Sequence, residues 1–313
     1  MNVFSFNILR KVFLNALYSD DYFRDVKMTI TRHIDTQLTK QVLEQLTFGS
    51  STKGVIKELY ENKELIVSLT THGKRIETVY HTIESIFQQT LKPNRVILWL
   101  GNNEWNDVRD LPISLQTQMS RGLEILFVKD IRSYTKLLPA LEMFPSANIV
   151  TVDDDILYPR NLLERLWKGH MKYQSSIISV VSRQMRLKGP NEFDSFVNFK
   201  SIDSDRDYIS LNNMAEGFAG VLYPSGCFDD EVFNESKFLQ LCPSADDIWF
   251  CCMALKAKTP VVQIARLFDV YHEMYQIEEV QDMALANTNI GDKCNDYQLN
   301  AVFNEYNLWS CLQ

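Results

Sequence analysis

The chain has 313 residues, 45% of them hydrophobic, which suffices for one large α/β core with room for an appended segment. A formal net charge of −8 excludes a general electrostatic nucleic-acid binder, though not a local basic pocket for an anionic ligand. Cys227, Cys242, Cys251, Cys252, Cys294 and Cys311 form no C-x-x-C pair, so zinc spacing is absent and thiols in a reducing compartment are expected.

Residues 1–62 read as an N-terminal helical segment, with helices predicted near 6–18 and 36–47 and a turn-rich break, FGSSTKG, at 48–54. Arg10 and Lys11 interrupt the apolar start and no small-residue cleavage site follows, so no secretory signal is expected. No run approaches the ~18 apolar residues of a spanning helix, which points to a cytoplasmic protein. Phe4, Phe6, Ile8, Leu9, Val12, Phe13, Leu14, Leu17 and Tyr18 give the first helix an apolar face. It could make peripheral contact at the inner face of a membrane, but its few cations favour packing on the domain or on a protein partner.

From residue 63 to 313 the texture is that of one α/β domain. ELIVSLTT (64–71) is a predicted buried strand, and Ile76, Val79, Tyr80, Ile83, Ile86 and Phe87 then recur at helical spacing. RVILWLG (95–101) is a second strand, a helix is predicted at 113–119, and LEILFVKD (123–130) is a third strand. TKLLPALEMF (135–144) is a short helix with Pro139 in its first turn. NIVTV (148–152) is a fourth strand running straight into Asp153, Asp154 and Asp155, followed by an amphipathic helix over 160–173. This alternation predicts a mostly parallel sheet flanked by helices, with ligands bound beyond the carboxyl ends of the strands. The second half is less regular: a strand over 175–187, a glycine-bearing stretch GFAGVLYPSGCF (217–228), an apolar helix over 244–257, a strand over 259–265 and a final helix near 295–309.

Two acidic sites and one histidine could carry chemistry. Neighbouring carboxylates at a strand end repel one another unless a cation intervenes, and such groups commonly hold Mg²⁺ or Mn²⁺ with substrate phosphates; a solvated acidic turn or helix cap is the plainer role. Asp246 and Asp247 open a helix that is apolar nearly all round. Ser244 and Asp247 resemble a capping box, and a carboxylate fixed at a buried helix start also suits a general base. His272, in DVYHEMY, is either a structural histidine or a neutral metal ligand. Arg75 and Lys136, at the same inferred edge as Thr70 and Thr71, either meet a diphosphate or are solvated charges.

Taken in order, VSLTTHGKRIETVYHTIESIFQQTLKPNRVILWL, SYTKLLPALEMFPSANIVTVDDDILYPRNLLERL, GFAGVLYPSGCF, CPSADDIWF and NDYQLNAVFNEY resemble glycosyltransferases of the GT-A fold, nearest to bacterial family-2-like inverting enzymes. The resemblance covers about 64–308. It implies a DxD-type motif at Asp153–Asp155, with Asp155 on a divalent metal and Asp153 or Asp154 on the ribose or the metal shell. It also implies a nucleotide pocket at Thr70 and Thr71, and a sugar-lining segment that includes Gly220. ADDI stands where inverting members have an ED-type motif, which makes Asp247 the expected base and Asp246 its neighbour; His272 would be a late metal ligand. The implied partners are a nucleotide-sugar donor, with uridine the family expectation, and a glycan or lipid-linked glycan acceptor in bacterial surface polysaccharide synthesis. Two alternatives stand beside it. A sugar-phosphate nucleotidyltransferase would ordinarily carry a Gly-rich basic loop, whereas SLTTHGKR has one glycine; an inactive glycosyltransferase-like binding protein would not need both acidic sites.

Overall fold

A computed structural model describes residues 20–265, 273–283 and 294–312. The helix expected near 6–18 and His272 lie outside the described residues. The chain divides into two compact units, Met1–Val42 and Leu43–Gln313. In the first, the described residues belong to a single helix, α1 (Asp20–Gly49), whose last turns fall in the second unit. Val26, Ile30, Ile34, Leu38 and Val42 recur every fourth residue along it and are exposed. No helix among the described residues is long and apolar enough to cross a membrane.

The second unit is a mixed α/β domain. Its central sheet has eight strands among the described residues: β1 (Leu65–Thr70), β2 (Arg95–Gly101), β3 (Leu123–Val128), β4 (Asn148–Thr151), β5 (Ile177–Ser179), β6 (Tyr208–Ser210), β7 (Val221–Tyr223) and β8 (Val261–Gln263). Their spatial order is β6-β8-β5-β7-β4-β1-β2-β3. The strands β3, β2, β1 and β4 run parallel, as do β5 and β8, while β7 runs antiparallel between β4 and β5 and β6 is antiparallel at one edge.

Alternation within each strand sorts the core into two layers. Leu65, Val67 and Leu69 face one side with α2 (Val79–Phe87), α3 (Ile113–Met119) and α5 (Leu162–Lys172), meeting Ile83, Ile86, Leu115 and Leu166. Ile66, Ile97 and Trp99 face the other with α4 (Leu138–Met143), α6 (Glu235–Leu241), α7 (Asp246–Lys256) and α8 (Cys294–Tyr306), meeting Leu138, Phe238, Trp249 and Phe303. Pro139 sits in the first turn of α4, where its missing N–H costs nothing.

Two expectations are corrected. The single strand expected over 175–187 is broken: β5 ends at Ser179, and Ser182–Gln184 joins a separate three-stranded sheet with Lys200–Ser201 and Asn213–Ala215. Ser179 and Ser182 hydroxyls bond at the break, and the Ser182 amide donates to Gln263, so long-range partners redirect the chain. The capping box at Ser244 does not form. Ala245 is the N-cap of α7 with no side-chain bond, because the Ser244 amide and hydroxyl are both engaged by Gln298 of α8.

Candidate active site

The carboxyl ends of β1 and β4 meet at the acidic triplet. Thr70 spends its hydroxyl on the Trp99 carbonyl (2.9 Å), and Thr71 donates to Asp154 Oδ2 (2.6 Å). Arg75, in the turn after β1, places Nη1 2.6 Å from Asp154 Oδ1 and 3.2 Å from Asp155 Oδ2. Its Nη2 donates to the Val280 carbonyl (3.2 Å). Burial works against the guanidinium charge, yet Asp154 and Asp155 hold its pKa above the ordinary value. Asp154 is buried too, and desolvation raises its pKa against the opposing pull of Arg75 and Thr71. Its backbone carbonyl also accepts from Thr82, so Asp154 is tied on all sides within the protein. Asp155 is buried beside Arg75, and its carbonyl accepts from the Ile277 amide (2.7 Å), where Tyr275–Gln276 pairs antiparallel with Ile156–Leu157. Asp153 is the most exposed of the three.

Lys136 joins this group to the second acidic site. Its Nζ lies 3.0 Å from Asp153 Oδ1 and 3.1 Å from Asp246 Oδ2, the latter as an ion pair without hydrogen-bond alignment. Several bonds brace the lysine turn. Ser68 on β1 accepts from Trp99 Nε1 (2.8 Å) and donates to the Lys136 carbonyl (2.6 Å), Tyr134 donates to the Cys242 carbonyl, and Arg132 Nη1 to that of Pro243 (3.0 Å). The turn is thus fixed both to β1 and to the loop before α7. Desolvation opposes the Lys136 charge, but Asp153, Asp246 and Asp247 together push its pKa well above the ordinary value.

Asp247 accepts a hydrogen bond on Oδ2 from the Gly217 amide (3.0 Å). Burial, with the neighbouring Asp246 charge, raises its carboxyl to about 7, against lowering by Lys136 and the Gly217 amide. Behind it a small cavity is lined by Ile177, Ala215, Tyr223, Phe250, Cys251 and Val261. A Cβ at Gly217 would sit 2.8 Å from Asp247 Oδ1 and 3.0 Å from Lys136 Nζ, so a side chain here would intrude between the acid and the ammonium.

Sequence reasoning named Gly220, which serves differently: its φ of 89° and the Leu162 methyls 3.1–3.2 Å from its Cβ position make it a turn-and-packing glycine. It missed Gly217, for which only the run GFAG was a signal, and Tyr158. The Tyr158 hydroxyl accepts from the Asp153 amide (2.9 Å) and donates to the Phe218 carbonyl (2.7 Å), pinning the Gly217–Ala219 turn to the triplet. The structure brings together Thr71, Arg75, Lys136, Asp153, Asp154, Asp155, Asp246 and Asp247.

Among the described residues no three His, Cys, Asp or Glu side chains converge to hold a metal by themselves. A divalent cation would rest on Asp153 and Asp155 with phosphate oxygens of a ligand, the mode usual for Mg²⁺. The charge fits such an ion. The acids Asp153, Asp154, Asp155, Asp246 and Asp247 outnumber Arg75 and Lys136, and the cluster stays negative even with a proton on Asp247.

No family model and no curated protein matches the sequence. Among solved structures the chain is similar to S. aureus TarS 1-349, at 12% identity and a TM-score of 0.44 over 78% of this chain and 71% of that one. It is also similar to TarS 1-349 in complex with UDP, at 11% identity and a TM-score of 0.41 over 63% of this chain. The chain spans 57% of the length of that second structure.

Proposed function

We propose that the chain is a GT-A-fold glycosyltransferase that moves a sugar from a nucleotide-diphosphate donor to a hydroxyl of a glycan or lipid-linked glycan, with inversion, in bacterial surface polysaccharide synthesis. The observation that carries this reading is the Lys136 bridge, which sets one acid at the end of β4 within reach of a second acidic pair at the start of α7. Transfer with inversion needs such a division: one acidic group near the departing diphosphate and another, on the acceptor side, to take a proton.

In this reading Asp247 accepts the proton of the acceptor hydroxyl. A carboxyl at about 7 is poised for that task, since it is half ionised near neutrality and still basic enough to bind the proton. The Gly217 amide orients it through Oδ2. Arg75 and Thr71 hold Asp154, and with it the backbone of the triplet, so that Asp153 and Asp155 face the donor. A bound Mn²⁺ or Mg²⁺ would supply Lewis-acid neutralisation of the charge developing on the diphosphate.

UDP, the nucleotide of the TarS complex, is the first ligand to test. Calorimetric titration with UDP and Mn²⁺ should give saturable binding that Asp247→Asn retains. The same variant should lose ~10²–10⁴-fold of sugar transfer or donor hydrolysis. Near-normal turnover in Asp247→Asn would refute the base assignment. Pyrophosphate release from a nucleoside triphosphate and a sugar phosphate would replace the reaction class altogether.

A further inference from the structure

We propose that Lys136 is a positioning residue, its ammonium shared between Asp153 and Asp246 so that the start of α7 is locked against the donor end of β4. The inference rests on the reading above for its catalytic meaning, but on geometry alone for the lock itself.

Two alternatives for a lysine here are a ligand for the donor diphosphate and a surface charge. The second is excluded by burial: 8% of the residue is exposed. The first is disfavoured by its partners. Nζ already has carboxylates from two different elements at 3.0 and 3.1 Å. The turn that carries it is bonded to β1 through Ser68 and to the loop before α7 through Arg132 and Tyr134. Moving the ammonium toward a ligand would therefore break an existing ion pair and strain a turn held at both ends. A compact point charge between two carboxylates on different elements acts as a fixed spacer, and its loss leaves two buried or half-buried acids repelling each other across the gap.

The charged and titratable groups facing Asp247 come from each element packed around it: Asp246 and Cys251 on α7, Lys136 on its turn, Asp153 at the end of β4 and Tyr223 on β7, with the Gly217 amide as a direct donor. Among these Lys136 is the cation. Asp247 is raised in the folded state, so the folded chain keeps a proton that the unfolded chain has released, and the stability this confers is lost as pH rises through about 7. Removing Lys136 must move that loss to higher pH and deepen it.

The test is the melting temperature as a function of pH from 5 to 9 for the unaltered chain, Lys136→Met, Lys136→Arg, Asp247→Asn and Lys136→Met/Asp247→Asn. This measurement does not depend on any activity. The lock requires that the fall, which levels off near pH 7 in the unaltered chain, continue upward by about a pH unit or more in Lys136→Met, level off in the same place in Lys136→Arg, and vanish in both chains carrying Asp247→Asn. An unshifted fall in Lys136→Met overturns the proposal. If Lys136→Met is too unstable to fold, the comparison of Lys136→Arg with the unaltered chain stands in its place: a shifted fall there also overturns it. Calorimetry with UDP and Mn²⁺ provides the second arm. Lys136→Met with an unchanged Kd supports a positioning role, whereas tenfold or greater weakening with an unmoved melting profile makes Lys136 a diphosphate ligand instead. Absence of UDP binding in the unaltered chain would count against the glycosyltransferase reading while leaving the melting profiles to decide the lock.

Discussion

Single residues divide the acidic triplet into unequal parts. Asp154 belongs to the protein, held by Thr71, Arg75 and Thr82, whereas Asp155 shares Arg75 with it and Asp153, the most exposed of the three, pairs with Lys136. Asp155→Ala is expected to abolish the Mn²⁺-dependent part of UDP binding in a calorimetric titration, and a Kd that stays equally responsive to Mn²⁺ would remove Asp155 from the metal. Gly217→Ala is expected to cost at least tenfold in turnover, because its methyl would meet Asp247 Oδ1 at 2.8 Å and Lys136 Nζ at 3.0 Å. The acids themselves were legible in the sequence: an Asp triplet directly after NIVTV and a pair directly before an apolar helix. What answers their repulsion was not. Arg75 and Lys136 lie far from their partners along the chain, and only the folded sheet brings Lys136 between Asp153 and Asp246. Gly217 was hidden for a similar reason, since GFAG offers two glycines and only three-dimensional packing separates the one facing Asp247 from the one lying on Leu162.

At the scale of elements, strength is concentrated where polar groups are buried in matched sets. Glu84 on α2 is fully buried and takes both Nη atoms of Arg121, at 2.8 and 2.9 Å, along with Thr47 of α1, Gln88 and Gln118. Arg121 in turn donates to the carbonyls of Leu46 and Thr52. Truncating one member of such a pair strands the other charge, so Arg121→Met should destabilise the domain by roughly 3–5 kcal/mol in a denaturant titration. A loss below about 1 kcal/mol would show that Glu84 finds other compensation. Tyr158→Phe should act differently. It removes the link between the Asp153 amide and the Phe218 carbonyl, so turnover should fall more steeply than the ~1–3 kcal/mol of stability that a stranded buried group costs. Helices α2 and α5 were readable from the spacing of their apolar residues, and α7 from an unbroken apolar run long for a strand. The break after β5 was not, because Val180 and Val181 are as apolar as any strand interior and the redirection comes from Ser182 binding Gln263 on a distant strand.

For the molecule as a whole, the candidate site opposes stability. An acid whose folded-state pKa is raised from 3.8 to about 7 weakens the fold as it ionises. Asp247→Asn should therefore melt higher than the unaltered chain at pH 8.5, by a margin that shrinks steadily as pH falls from about 7 toward 4, read by thermal denaturation across that range. Stability gained where activity is lost is the expected signature of a site kept for function. The central sheet has a further consequence. Strand β7 arrives in the chain after β4 and β5 yet fills the gap between them, pairing Val221 with Thr151 on one side and with Ser179 on the other. Until residue 223 has left the ribosome, both neighbours present unpaired backbone, a template for association with other chains. Emergence of this three-residue strand closes the facing edges of β4 and β5 and, because it runs antiparallel, delivers the Gly217 turn beside Asp153 in the same event. Synthesis thus closes the inner gap of the sheet and seats the Gly217 turn together, while the outer side of β5 stays open until β8 follows later in the chain.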